Sequence, residues 1–168
     1  QIENLVRKQR KLVSYILLGV VVVVLLTILL VNSKKKANTA AMGELGLAEM
    51  SFARNDYDDA ILRLENLIEK YSRTRSSGMA TILLARCYLA KDDYENARVN
   101  FEKYIDDYKD DKFLTAAAYS GLAICAEQDS NFALAAEYFE KGGKISPHKF
   151  HKHELLLNSA RNYLKVNN

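Results

Sequence analysis

The chain has 168 residues, 49% hydrophobic and 27% charged, with a single proline and no tryptophan. Its net charge of +3 is unevenly placed: residues 1–36 hold seven Lys/Arg against Glu3, whereas the rest holds 17 Lys/Arg against 20 Asp/Glu. A nucleic-acid binder carries its positive stripe on the folded part, so the acidic balance beyond residue 36 argues against a nucleic-acid partner.

Residues 1–11 form a short basic flank containing Arg7, Lys8, Arg10 and Lys11. Residues 12–31 (LVSYILLGVVVVVLLTILLV) then run without a charge. At about 1.5 Å of rise per residue, such a helix spans roughly the 30 Å hydrocarbon core of a bilayer. Residues 12–33 are therefore read as a single transmembrane helix that anchors the chain in a lipid bilayer. A cleaved signal peptide is the alternative, but its apolar region is usually about 7–15 residues long and leads to a small-residue cleavage site. Here the run is longer and meets Lys34, Lys35 and Lys36. No ionisable group lies inside the segment, so no functional site is expected within the bilayer. Four positive charges before the segment and three after it favour, narrowly, a cytoplasmic N-terminus and an exported C-terminal domain. Residues 34–40 read as a basic, polar linker, and 41–168 as one further domain.

Beyond the linker, helix is expected throughout, because Pro147 stands alone and runs of alternating β-branched residues are missing. The expected helices are about 38–53, 57–71, 77–90, 94–108, 112–127, 132–142 and 149–165. Residues 57–71 (YDDAILRLENLIEKY) resemble 94–108 (YENARVNFEKYIDDY), and a third copy runs over 132–147 (FALAAEYFEKGGKISP). Their alanines, Ala60, Ala97 and Ala135, are 37 and 38 residues apart, a period that signals stacked helical repeats. The helix before each copy repeats as well. LGLAEMSF, TILLARCYL and YSGLAICAE align Leu47-Ala48, Leu84-Ala85 and Leu122-Ala123, and SARNYLK sets Ala160 and Tyr163 where Ala85 and Tyr88 fall. Asn55-Asp56, Asp92-Asp93 and Asp129-Ser130-Asn131 occupy the turns inside repeats, where such side chains cap helix starts.

This pattern resembles the tetratricopeptide repeat. Leu64, Phe101 and Phe139 suit its large site between repeats, and Pro147 suits the position that closes one. Two features depart from it: Leu67 and Tyr104 stand where a small residue is usual, with only Gly142 conforming, and the spacing exceeds the standard 34. The resemblance implies an all-α fold, an α-solenoid of about three and a half helix-turn-helix repeats (41–77, 78–115, 116–152 and the half repeat 153–168). The last helix is either a cap or the first half of another repeat. In such arrays the first helix of each repeat lines an inner groove. Here that assigns Met42, Leu45, Glu49 and Phe52, then Met79, Ile82, Arg86 and Leu89, then Ser120, Ile124 and Glu127 to a partner-binding groove. Met, Leu, Ile and Phe with isolated charges suit an extended or helical polypeptide client; alternatively, some of them pack against neighbouring helices. A carboxylate clamp for acidic C-termini cannot be assembled, because the fifth positions are Leu45, Ile82 and Ser120 and the ninth are Glu49, Arg86 and Ile124.

No motif points to catalysis. There is no glycine-rich phosphate loop and no GxSxG, and acidic groups such as Asp106, Asp107, Asp110 and Asp111 fall where solvation accounts for them. No catalytic residue, cofactor or small-molecule substrate is expected. His148, His151 and His153 do not share one helical face at metal-ligand spacing, so no metal site is expected either. Cys87 and Cys125 lie at equivalent repeat positions, too far apart for a disulfide, and are expected as buried free thiols.

A basic N-terminus, one spanning helix, a lysine stop and degenerate tetratricopeptide repeats together resemble the bacterial ancillary SecYEG translocon subunit family. That resemblance implies a protein of the bacterial inner membrane with a periplasmic repeat domain. It would be a non-enzymatic scaffold holding clients or a chaperone partner near the protein-translocation channel. A structural adaptor of another membrane or cell-envelope complex, and a cytosol-facing import receptor, are the alternatives.

Overall fold

The computed structural model describes residues 2–72, 74–109 and 111–166, with side chains described from Ser14 onward. The basic side chains before Ser14, Asp110 and the terminal Asn167 and Asn168 lie outside the described residues. The described residues form seven helices: α1 (Ile2–Ala53), α2 (Tyr57–Lys70), α3 (Arg75–Ala90), α4 (Tyr94–Asp107), α5 (Lys112–Gln128), α6 (Phe132–Ile145) and α7 (Lys149–Val166). Two differences from the sequence reading stand out. Residues 34–40, read as a linker, are helical within α1, since Lys34 to Ala41 include neither glycine nor proline to stop a helix. Helix α6 also continues through Gly142 and Gly143 to Ile145.

The chain divides into two compact units, Gln1–Thr39 and Ala40–Asn168. In the first, every large apolar side chain from Tyr15 to Val31 is exposed, and α1 has a window of mean hydropathy 3.0. That stretch is long and apolar enough to cross a membrane, which would cover the side chains that the protein leaves bare.

In the second unit, first-type helices (the end of α1, then α3, α5 and α7) alternate with second-type helices (α2, α4 and α6). The turn inside each repeat is built the same way three times. Asn55, Asp92 and Ser130 adopt φ of 60°, 58° and 57°. Each follows the end of a first-type helix, so that the amide of the next residue reaches back to the helix: Asp56 to Ser51 O at 3.0 Å, Asp93 to Tyr88 O at 2.9 Å and Asn131 to Ala126 O at 2.9 Å. A second bond closes the preceding residue onto Phe52, Leu89 and Glu127. This is the left-handed C-terminal closure usually made by glycine. The residue that receives the closure also opens the next helix, since Asp56, Asp93 and Asn131 accept from the amides of Asp59, Asn96 and Leu134. One short polar sequence thus ends one helix and begins another.

The repeat alanines occupy the tightest places. Ala48, Ala85, Ala123, Ala60, Ala97 and Ala135 are all fully buried. One core joins Ala41, Leu45 and Ala48 of α1 to α2 and α3; a second joins α3, α4 and α5 around Phe101; a third joins α5, α6 and α7 around Phe139 and Leu155. Each second-type helix is therefore held between two first-type helices. Glycine serves this packing at Gly121, where a Cβ would lie 2.2 Å from the Phe101 ring, and at Gly143, where it would lie 2.9 Å from Leu156. Cys87 and Cys125 are buried and unbridged.

Candidate interaction groove

The side chains assigned to the groove separate into two groups. Met42 (61% exposed), Glu49, Met79 (39%), Arg86 and Ile124 (41%) reach solvent, and Phe52, Leu89, Ser120 and Glu127 are half-buried. Leu45 and Ile82 are each only 5% exposed and belong to the first and second cores. Position five of the first helix therefore packs inward in the first two repeats. The reason is geometric: each of these helices is gripped by two neighbours, which leaves only a narrow strip of its surface free. On α3 that strip is Met79, Arg86 and Ala90; on α5 it is Phe113, Ala117, Ser120 and Ile124.

Two contacts order this surface. The Arg86 guanidinium lies 5.0 Å from the centre of the Phe52 ring, which links the first and second repeats through two of the assigned side chains. Glu127 is occupied by the last helix, accepting from Asn162 Nδ2 at 2.8 Å and lying 3.5 Å from Lys165 Nζ. It is therefore not offered to a ligand, although its repeat position faces the groove.

Phe113 was missed by the sequence reading. It lies seven residues, about two turns, before Ser120 on the same face, so extending the stripe by two turns would have found it. Its ring is 44% exposed and contacts those of His148 (5.4 Å between centres) and His151 (5.5 Å). His151 also meets Ser146 Oγ through Nδ1 at 3.1 Å. Two of the three histidines thus pack the start of α7 against α5, while His153 is exposed. No cluster of three potential metal ligands occurs among the described residues.

The charged and titratable groups bind repeat to repeat. Lys91 pairs with Asp58 and Arg98 with Asp129, each joining a second-type helix to the C-terminus of the following first-type helix. Tyr88 donates to Glu65 at 3.0 Å; burial, with this bond to a carboxylate, pushes its hydroxyl up to about 12. Inside the first repeat, Asp59 accepts from Arg63 Nε at 2.6 Å and from the buried Ser51 hydroxyl, and these bonds hold its carboxyl below the ordinary value of 3.8. Burial pushes the thiols of Cys87 and Cys125 up to about 11, which removes them as nucleophiles near neutral pH. A surface cavity of about 500 Å³ lies where α3 begins and α4 ends, lined by Thr74, Arg75, Gly78, Tyr104 and Tyr108 among others. Its polar side chains are used locally: Thr74 caps α3, and Arg75 lies 3.5 Å from Asp111.

Residues 26–118 match the tetratricopeptide repeat-like domain family, more than half of the chain, and the chain belongs to that family. The structural repetition continues past the matched residues through α6 and α7. A comparison with curated proteins finds no match. Domains of this family are interaction scaffolds, so the class of partner is protein.

Proposed function

We propose that this protein is a membrane-anchored, non-enzymatic scaffold whose first-type helices hold an apolar polypeptide segment. The observation that carries the reading is the strip of half-exposed Met79, Ile124 and Phe113, beside Met42 and the Arg86–Phe52 pair. Methionine suits this use because its flexible, polarisable side chain adapts to varied apolar partners. Full burial of such a side chain is worth about 1.5–3 kcal/mol, so covering the half-exposed ones gains on the order of 1 kcal/mol each. Individual clients would bind weakly, and a high local concentration at the membrane would raise occupancy.

The finer reading is an accessory subunit of the protein-translocation machinery in a bacterial inner membrane, with the N-terminus in the cytoplasm and the repeats outside. Its support is the architecture of basic flank, apolar helix, lysine stop and repeats, together with four basic residues before the helix against three after it. The test is a photo-crosslinker placed at Met79 and at Ile124 in the intact membrane, with the exposed Glu69 on α2 as control. Crosslinks to nascent or translocating polypeptides from the first two sites alone are expected. Equal labelling from Glu69 would remove the groove from the reading. Failure to co-purify the translocation channel in mild detergent would overturn the finer assignment. So would a reporter fused after Asn168 that is active only in the cytoplasm, for the orientation.

A further inference from the structure

The first helix of the stack leaves bare the face on which the later ones receive a neighbour. In α3 that face is Ala80, Leu83, Leu84 and Cys87, all buried in one core with Ala60, Leu64 and Leu67 of the preceding α2. In α5 it is Ala118, Gly121, Leu122 and Cys125, buried against Ala97, Phe101 and Tyr104 of α4. The same repeat positions in α1 are Gly43, Gly46, Leu47 and Met50. Leu47 is 47% exposed and Met50 57%, and a Cβ added at either glycine meets nothing within 4 Å. The residues before Ala40 continue as α1 itself, so the described chain brings no second-type helix onto this face. A terminal repeat of a solenoid turns a polar face outward. These four positions are uncharged and apolar instead, and a contiguous apolar surface of this kind marks a contact site.

Shape and charge specify what fits it. Gly121 is the place where the Phe101 ring of α4 inserts, and Gly46 holds the same position with the gap unfilled. The residue that follows each covered face is ion-paired with the covering helix: Lys91 with Asp58 of α2, and Asp129 with Arg98 of α4. In the first repeat that residue is Arg54, which is exposed and donates to the neutral Ser51 hydroxyl at 3.3 Å. A cation there, as at Lys91, calls for a carboxylate at the place of Asp58. A second copy offers no free helix of this type among the described residues, because α2, α4 and α6 are each held between two first-type helices. We propose that the Gly43–Met50 face of α1 is a docking site for an amphipathic helix of a partner protein, seated as α2 is seated on α3. That helix carries an acidic residue in its first turn to meet Arg54, an alanine two residues later, and an aromatic residue four further on that fills the gap at Gly46. The site lies outside the inner groove and does not rest on the groove reading.

The probe is a fluorescent, helix-stapled peptide of residues 57–70 carrying Leu64→Phe, titrated into the full chain in phosphatidylcholine nanodiscs. Saturable binding is expected, weakened at least tenfold by Leu47→Glu and by Gly46→Leu, which fills the gap meant for the ring. Arg54→Glu should weaken it several-fold, and Asp58→Lys in the peptide should restore affinity for that variant. Leu47 and Arg54 are exposed and the space at Gly46 is open, so the far-ultraviolet circular dichroism should not change. Ile124→Glu in the groove should leave peptide binding intact. The proposal is overturned by absence of saturable binding, or by equal affinity for the Leu47→Glu or the Gly46→Leu chain. It is overturned too if the Asp58→Lys peptide binds the Arg54→Glu chain no better than the original probe does, or if Ile124→Glu abolishes binding, which would place the peptide in the groove. Two further outcomes overturn it in favour of a different occupant. One is Leu47-dependent capture of phosphatidylglycerol vesicles without peptide binding, and the other is Leu47-dependent dimerisation in sedimentation.

Discussion

Gly46 and Gly121 stand at the same repeat position, two repeats apart, yet alanine should act in opposite directions at the two sites. Glycine inside a helix costs about 0.5–1 kcal/mol relative to alanine, because it loses more backbone freedom on folding. At Gly46 an added Cβ meets nothing within 4 Å, so Gly46→Ala should recover that amount, about 0.5–1 kcal/mol. At Gly121 the added Cβ would lie 2.2 Å from Cε2 and Cζ of Phe101, against an ordinary carbon separation of about 3.5–4.0 Å. The ring must retreat by more than 1 Å, and it is 2% exposed in the core between α3, α4 and α5. Overpacking of this kind costs about 1–3 kcal/mol and here exceeds the helix gain, giving a net loss of roughly 1–2 kcal/mol. Urea titrations followed by circular dichroism at 222 nm, in the detergent that keeps the full chain soluble, should move the two midpoints in opposite directions. Phe101→Leu should recover most of the Gly121→Ala loss, as expected of residues in contact. If both alanines stabilise, the insertion of Phe101 against Gly121 is wrong, and with it the packing of the second repeat on the third.

The remaining predictions test other parts of the same packing. Leu45→Glu or Ile82→Glu should lower stability by several kcal/mol and reduce helicity, because each buries a carboxylate in a core; retained helicity would return these positions to the groove surface. Asp59→Asn tests the bond network of the first repeat. The Asp59 carboxyl is held below 3.8 in the folded chain by Arg63 first and Ser51 second. Its contribution is therefore present above the unfolded value and is lost as pH falls through the lower, folded one. The difference between wild-type and variant midpoints should be full at pH 7 and should close only below pH 3.8; a constant difference across that range would refute it. Cys87 and Cys125 should resist iodoacetamide at pH 8 in the folded chain and react in urea, and rapid native labelling by mass spectrometry would contradict their raised values. Ser130→Gly should gain about 0.5–1 kcal/mol, since Ser130 holds φ of 57° without a side chain suited to it, and a loss there would refute the turn assignment.

The apolar segment, the seven helices and the order of the repeats follow from local features of the sequence. Charge and hydropathy define 12–31, the period of Ala60, Ala97 and Ala135 defines the repeat, and the Asn and Asp pairs mark the turns. These signals need only neighbours along the chain, which is why the helix ends from residue 53 onward fall within one or two residues of the expected places, except the end of α6, three residues later than expected; the expected break at 34–40 is not there, since α1 runs on through it. The side of each first-type helix that stays in water was decided by tertiary packing. Leu45 and Ile82 have the same character as Met42 and Met79, and only the neighbours on both flanks determine which pair is covered. The same holds for Glu127, which reads as a groove charge until α7 brings Asn162 and Lys165 onto it. A repeating sequence specifies which residues are equivalent. Burial depends on how many neighbours each equivalent residue finds, and that number differs from repeat to repeat.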